Sequence, residues 1–226
     1  MSLWSRIADA VSALAQGESL SNVFKKLRTP PERRVAFAIA VIALGAKMAK
    51  ADGHVTRDEV TAFREVFYIP KGEEAQAARV FNLARQDITG FEIYAASIAA
   101  MFRDNATVLE DLLEGLFFIA MADGEYHPKE DDFIHKVADI FGVSERRFRT
   151  LRTRFAPDAP PDAYDVLGVD PSSSLEDIRT AWRRAVRETH PDQMMSRGVP
   201  EEAINLATAK LIAVNRAWEE ISAGSG

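Results

Sequence analysis

The chain of 226 residues contains no cysteine. Disulfide bonds, thiolate zinc sites and a cysteine nucleophile are therefore excluded, and the composition is compatible with a reducing cytoplasm. A membrane-spanning run is also missing, because the longest apolar stretch, residues 35–46, is short, rich in alanine and flanked by basic residues. This stretch begins too far from the N-terminus for a secretory signal. We expect a soluble, cytoplasmic protein without a transmembrane segment.

Strand patterns are scarce as well, since no stretch sustains an alternation of apolar and polar residues. Every long segment instead repeats apolar residues every three to four positions, which predicts an all-α fold. Apolar residues make up 47% of the chain, enough for a sizeable core, and the length suggests one or two domains. The formal net charge of −6 argues against nucleic acid and anionic membranes as general partners.

The tripeptide His190-Pro191-Asp192 is the most informative motif that is present. It ends a helical run from Leu175 to Thr189, because proline disfavours a helical conformation of the residue before it. That run follows Tyr164-Asp165-Val166-Leu167-Gly168-Val169 and three serines, and Ser174 with Asp177 three residues later predicts the start of the helix. A second apolar-periodic run reaches from Pro200 to Ile221, after a loop that contains methionine and glycine. The pattern predicts a helical hairpin with the tripeptide exposed at its tip.

The spacing of residues along the two helices predicts the inner and outer faces of this hairpin. The apolar positions are Ile178, Ala181, Trp182, Ala185 and Val186 in the first helix and Ile204, Ala207, Leu211, Val214, Trp218 and Ile221 in the second. Trp182 and Trp218 should therefore meet inside the hairpin. The opposite face of the first helix carries Arg179, Arg183, Arg184 and Arg187. This arginine face fits docking to an acidic protein surface, and the alternative is an ordinary solvated helix face.

From about Asp162 onward these features resemble a J domain. The resemblance implies that the partner is a DnaK-type heat-shock chaperone, that the arginine face orients it, and that His190, Pro191 and Asp192 trigger its ATP hydrolysis. Residues 162–226 contain 11 acidic and 7 basic side chains, so we do not expect nucleic acid to be the partner. One departure is Lys210-Leu211-Ile212, which stands where many J domains have Lys-Phe-Lys, so a secondary partner contact at Ile212 is not expected.

An internal repeat marks the larger N-terminal region, where Ala51-Asp52-Gly53 recurs 71 positions later as Ala122-Asp123-Gly124. At the same offset Glu59 matches Glu130, and each copy places an apolar helix before the triplet and an acidic helix start after it. This arrangement resembles the TerB-like all-helical domain. A TerB-like domain followed by a J domain resembles the DjlA-type co-chaperones.

Two interpretations of the acidic repeat stay open. The glycines suit helix C-termini, and His127-Pro128 with Glu130 suits a helix start, so the repeat is explained as helix punctuation. An aspartate in the last turn of a helix, however, opposes the helix dipole, and this happens twice. The alternative is therefore a divalent-cation site built from Asp52, Glu59, Asp123 and Glu130, since carboxylates suit hard cations such as calcium.

The N-terminal segment has one strongly apolar helical face, made of Leu3, Trp4, Ile7, Ala8, Val11 and Leu14, and Gly17 should end the helix. Because Arg6 is the single basic residue among residues 1–16, packing of this helix on the TerB-like core is the favoured interpretation. A peripheral membrane contact through residues 3–14, or a partner helix, is the alternative.

These observations predict four segments: an amphipathic segment (1–28), a TerB-like domain (29–155), a Pro-rich linker (156–161) and a J domain (162–226). The predicted function is a co-chaperone of the stress response, not an enzyme, that stimulates a DnaK-type ATPase. The TerB-like domain would serve targeting or binding of a client that the sequence does not identify. The alternative is a metal- or stress-sensing adaptor protein centred on the TerB-like domain.

Overall fold

The structure is a computed structural model that describes residues 2–18, 22–23, 26–27, 32–52, 66–86, 90–121, 126–155 and 162–224. In chain order its helices are α1 (Leu3–Ala15), α2 (Glu32–Asp52), α3 (Glu74–Gln86), α4 (Phe91–Met101), α5 (Ala106–Ala120), α6 (Pro128–Phe141), α7 (Glu145–Phe155), α8 (Ala163–Leu167), α9 (Leu175–Thr189), α10 (Pro191–Arg197) and α11 (Ile204–Gly224). A 3₁₀ turn, Glu201–Ala203, precedes α11. The described residues contain no β-strand, which confirms the all-α fold. The predicted linker, 156–161, lies outside them.

The central helix of the N-terminal region (α1 to α7) is α2. Every residue from 35 to 44 is buried, because a helix that is apolar on all sides must be covered on all sides. Within the described residues, α2 lies against α1, α3, α4, α5 and α6. The longest apolar run of the sequence is thus a core helix. Of the helices in the described residues, none combines the length and apolar character that crossing a bilayer requires.

Helix α1 packs on this core through its apolar face, as the favoured interpretation predicts. Trp4, Ile7, Ala8 and Val11 are buried, and the helix lies against α2 and α3. Its first turn is capped by Ser2, and it ends at Ala15, two residues before Gly17, whose φ is 90°. The apolar face that a peripheral membrane contact through residues 3–14 would need is covered by protein, so this alternative loses its physical basis.

The C-terminal region (α8 to α11) forms the predicted helical hairpin. The rings of Trp182 and Trp218 stack with centroids 5.1 Å apart, and the Trp182 indole N–H donates to the Asn215 side-chain oxygen over 3.0 Å. The predicted meeting of the two tryptophans is confirmed. The predicted position of Ile204 on the inner face of the hairpin is wrong, since this residue starts α11 and is 38% exposed.

The hairpin is not separate from the N-terminal region, which the sequence pattern did not indicate. The residues of its tip and of the first turn of α11 that join the large N-terminal core are Met194, Val199, Ala203, Leu206 and Ala207. The segment predicted to be a loop contains the short helix α10. This helix begins at Pro191, so His190 lies between α9 and α10, and Pro191 and Asp192 form the start of α10. Helix α9 packs in the core of the hairpin through Ile178, whereas α10 packs on the N-terminal core through Met194.

Candidate functional site

The tip of the hairpin is built by two helix ends. The Ser174 hydroxyl accepts from the Asp177 backbone N–H at the start of α9, as predicted, and His190 ends the helix. His190 has an extended ψ of 133°, which fits the conformation that a following proline imposes. The side chains of His190 and Asp192 are 58% and 77% exposed, which confirms the exposed tip.

The imidazole of His190 also begins the next helix. Its Nδ1 accepts a hydrogen bond from the Asp192 backbone N–H over 3.3 Å, and it lies 3.6 Å from the Asp192 carboxylate. A neutral imidazole that accepts at Nδ1 carries its proton on Nε2. The orientation of this ring is therefore tied to the first turn of α10.

The arginine face is open to solvent in full. Arg179, Arg183, Arg184 and Arg187 are all exposed along α9, while Ile178 and Ala181 on the other side of the helix are buried. This arrangement confirms the predicted outward placement of the four arginines. The helix therefore carries a row of cations that leads to His190, without any of them being needed for the core.

Helix α10 is held against the N-terminal region by apolar contacts and a close backbone approach. Met194 and Val199 are 1% and 2% exposed. Gly198 ends the helix with φ of 105°, a conformation that residues with a Cβ rarely adopt. A Cβ at this position would lie 3.1 Å from the Arg33 Cβ on α2.

Substituting Gly198 by alanine should therefore destabilise the protein. The positive φ alone costs about 1–3 kcal/mol for a residue with a Cβ, and the contact with Arg33 adds to it. We expect a lower free energy of unfolding in urea. The matched control is Gly72→Ala, because Gly72 has φ of 95° but no atom within 4 Å of the added Cβ. Equal losses in the two variants would show that the approach to Arg33 contributes nothing.

A buried ionic cluster joins the same tip to α5. Its anions are Asp111 and Glu114, both 0% exposed, and its cations from the hairpin are Arg197 and Lys210. The Asp111 carboxylate accepts from Arg197 Nη2 over 2.9 Å and from Lys210 Nζ over 3.3 Å. Lys210 also lies 2.6 Å from the Glu114 carboxylate.

The pKa values of the two buried carboxylates are shifted in opposite directions. Burial raises the pKa of Asp111 above its usual range, and repulsion from Glu114 adds to this, although Lys210 and Arg197 act against it. Burial also tends to raise the pKa of Glu114, but the charges of Lys210 and Arg154 outweigh it and hold that pKa below its usual range. The cluster therefore favours the ionised form of Glu114 over the ionised form of Asp111.

A second attachment uses Arg154 at the end of α7. Its guanidinium donates to the Glu114 carboxylate over 3.0 Å and, through two N–H groups, to the Val166 carbonyl over 2.8 and 3.0 Å. Val166 lies in α8, and the last carbonyls of a helix have no partner within the helix. Arg154 therefore connects the ionic cluster to the helix that begins the C-terminal region.

Comparison with known proteins agrees with this division into two regions. The family model described as Tellurite resistance protein TerB matches residues 38–153, just over half of the chain, and the model described as DnaJ domain matches residues 162–223. The chain belongs to the TerB family and carries a C-terminal DnaJ domain. The matched ranges are the TerB domain (38–153) and the J domain (162–223).

Curated relatives span most of this chain. A protein of Photobacterium profundum is 29% identical over 86% of this chain and 80% of its own length. One of Vibrio cholerae is 26% identical over 96% and 88%, and one of Legionella pneumophila is 23% identical over 84% and 77%. All three are named Co-chaperone protein DjlA. No solved structure matches the chain.

The acidic repeat of the TerB domain is described in part. The Glu130 carboxylate accepts from the His127 backbone N–H over 3.0 Å and Pro128 begins α6, so the predicted helix start is confirmed in the second copy. Glu59, Asp123 and the side chain of Asp52 lie outside the described residues. Within the described part, no group of three or more acidic or histidine side chains is placed to hold a metal ion. The four-carboxylate cation site stays a prediction.

Sequence reasoning missed the residues that attach the J domain to the TerB domain. Asp111 and Glu114, at a spacing of three, are charged residues among the mostly apolar buried positions of α5. Lys210 likewise interrupts the buried face of α11 between Ala207 and Val214. A charged side chain on an apolar face needs a partner of opposite charge. This was the available signal, and it does not say which residue the partner is.

Proposed function

We propose that this protein is a co-chaperone whose J domain binds a DnaK-type chaperone and stimulates its ATPase. The observation that carries the proposal is the exposure of His190 and Asp192 at the tip of the hairpin, next to four exposed arginines. Polar side chains that take no part in the core are available for a partner. The co-chaperone names of the relatives and the DnaJ domain match support the same role.

In the proposed mechanism, the arginine face and the His190-Pro191-Asp192 tip have separate roles. The arginine face attracts and orients an acidic surface of the chaperone, because exposed charges of opposite sign accelerate association. The tip then contacts the partner and shifts its catalytic cycle, while the ATP and the catalytic groups belong to the partner. We further propose that the TerB domain serves targeting or client binding and that the pair meets in the cytoplasm.

The direct experiment is single-turnover ATP hydrolysis by a purified DnaK-type chaperone with and without the full chain. We expect faster hydrolysis that saturates as the concentration of the chain increases. Saturation would separate specific binding from a general effect of added protein. A hydrolysis rate that is the same with and without the chain would contradict the proposal.

Neutralising Arg183 and Arg184 together, as Arg183→Gln with Arg184→Gln, should slow association with the chaperone by roughly tenfold at low salt. The wild-type association rate should fall as salt increases, because exposed charges are screened beyond about 8 Å at physiological ionic strength. Stopped-flow or surface-based association kinetics measure both effects.

The control variant removes two exposed arginines from the TerB domain, as Arg79→Gln with Arg103→Gln. It has the same net charge as the test variant, so a loss confined to Arg183 and Arg184 identifies the position of the charge as the cause. Equal association rates in the two variants would reduce the arginine face to an ordinary solvated surface.

A further inference from the structure

The tip of the J domain is held by a residue of the TerB domain. Arg197, the last residue of α10, donates to the Asp111 carboxylate from Nη2 over 2.9 Å and from Nε over 3.3 Å. The same guanidinium donates from Nη1 to the Glu188 backbone carbonyl over 3.0 Å. Arg197 therefore connects the end of α9, before the tripeptide, with the end of α10, after it, and fixes both to α5.

Helix α10 needs such support because it has seven residues. Isolated helices shorter than about 12–15 residues are marginal in water, so tertiary contacts must supply most of its stability. The contacts are the burial of Met194 and Val199 in the TerB core and the ion pair between Arg197 and Asp111. The ion pair supplies direction as well, because three nitrogens of the planar guanidinium are engaged: Nε and Nη2 donate to the Asp111 Oδ2 atom, and Nη1 donates to the Glu188 carbonyl.

The position of α10 in turn sets the geometry of the tripeptide. The His190 imidazole accepts from the Asp192 backbone N–H in the first turn of α10. Both side chains are more than half exposed, so core packing does not fix their orientation. A shift of α10 would therefore move the imidazole and the Asp192 carboxylate relative to α9 and its arginines.

We propose that Asp111 is a positioning residue for the His190-Pro191-Asp192 tip: through Arg197 it holds α10, and thereby the tripeptide, in the orientation that acts on the chaperone. This inference rests on the proposed function for its consequence in the partner. The TerB domain would then orient the tip of the J domain, in addition to any role in targeting or client binding.

The test variant is Asp111→Asn in the full chain, because it keeps the shape of the side chain and removes its charge. We expect the maximal stimulation of a DnaK-type ATPase to fall by roughly tenfold or more, since a displacement of about 1 Å can cost a hundredfold in rate. The concentration that gives half-maximal stimulation should change by less than about threefold, because the arginine face is untouched. A general loss of folded protein would instead raise the concentration of the chain needed for half-maximal stimulation and leave the maximal stimulation unchanged.

A second measurement reports on the tip without any partner. The amides of residues 192–199 should exchange with solvent faster in Asp111→Asn, while those of α9 keep their protection. The chain has four histidines, so the ring signals of His190 can be assigned by comparison with His190→Gln and should shift in Asp111→Asn. The control is Asp131→Asn, which removes the 3.0 Å ion pair to Arg152 within the TerB domain and should change neither readout.

Arg197→Gln tests the same link from the other side and keeps the proposal testable if Asp111→Asn does not fold. We expect a comparable loss of maximal stimulation in Arg197→Gln. Adding Arg197→Gln to Asp111→Asn should cause no further loss, because Asp111→Asn already removes the charge that Arg197 pairs with, together with the pair to Lys210. Wild-type maximal stimulation in either folded variant, or unchanged amide exchange at residues 192–199, would overturn the proposal. Absence of stimulation by the unaltered chain would contradict the proposed function instead, and the amide exchange would still decide whether Asp111 holds the tip.

Discussion

Replacing His190 by glutamine, or Asp192 by asparagine, should reduce the hydrolysis rate of a DnaK-type chaperone to the rate of the chaperone alone. Both side chains are more than half exposed at the tip of the hairpin, where they contribute nothing to the core. The imidazole caps α10, so its loss should lower the free energy of unfolding by no more than about 1 kcal/mol. An exposed Asp-to-Asn change usually stays within about 0.5 kcal/mol. Single-turnover hydrolysis measures the effect.

Two observations keep this result interpretable. Circular dichroism and urea unfolding should show that both variants fold as the wild type does. The control Glu219→Gln removes an exposed carboxylate of α11, far along the hairpin from the tip, and should stimulate normally. Full stimulation by either tip variant would remove the tripeptide from the mechanism.

Replacing Glu114 by glutamine should lower the free energy of unfolding at neutral pH by roughly 3–5 kcal/mol, the usual cost of removing one partner from a buried ion pair. The Glu114 carboxylate is 0% exposed and lies 2.6 Å from Lys210 and 3.0 Å from Arg154. Both cations would remain buried with less compensating charge. Urea unfolding at pH 7 measures the difference from the wild type.

The pH dependence of this difference follows from the lowered pKa of Glu114. A carboxylate whose pKa is lower in the folded state stabilises the fold above its unfolded pKa, and this contribution is lost as the pH falls through the folded value. The gap between wild type and Glu114→Gln should therefore be largest near neutral pH and narrow below about pH 4. Asp111 has a raised pKa and contributes with the opposite sign, so Asp111→Asn should cost less at pH 7 than Glu114→Gln.

Glu110→Gln is the control from the same helix. Glu110 accepts two hydrogen bonds from Arg147, at 2.7 and 2.9 Å, but the side chains of the pair are 20% and 33% exposed. Water can replace part of what is lost, so we expect a cost of about 1 kcal/mol or less. A loss in Glu114→Gln no larger than this would contradict the importance of the buried cluster.

The hairpin could be predicted because its signals are local. The helix α9 begins after the cap Ser174 and stops before Pro191, and both effects act within one turn of the chain. The inner face of each helix follows from its own periodicity, and the structure places Trp182 and Trp218 there as expected. The exposure of the arginine face followed from the same periodicity. The interpretation of α1 as a helix packed on the core is also confirmed. Its signal was local too, because the one basic residue of this helix, Arg6, provides little attraction to an anionic membrane surface.

Helix α10 could not be predicted from the sequence in the same way. Its seven residues include two methionines, and it ends at Gly198, so no amphipathic pattern of sufficient length is present. Its formation depends on burial of Met194 and Val199 against helices that are far away in the chain. Tertiary contacts override weak local preference at such positions.

The sequence by itself determined the class of the protein: an all-α chain with an N-terminal helical region, a basic helix and an exposed His190-Pro191-Asp192 tip. Helix periodicity, helix caps and proline act over a few residues, so the residues that cause each effect are close together in the sequence. Only the tertiary structure decided that the two regions share a core and an ionic cluster. Asp111 and Lys210 are 99 positions apart, and a charged residue on an apolar face indicates that a partner exists without indicating where it lies. Which charge meets which is decided when the helices pack, because burial leaves each carboxylate only the cations that the fold brings within reach.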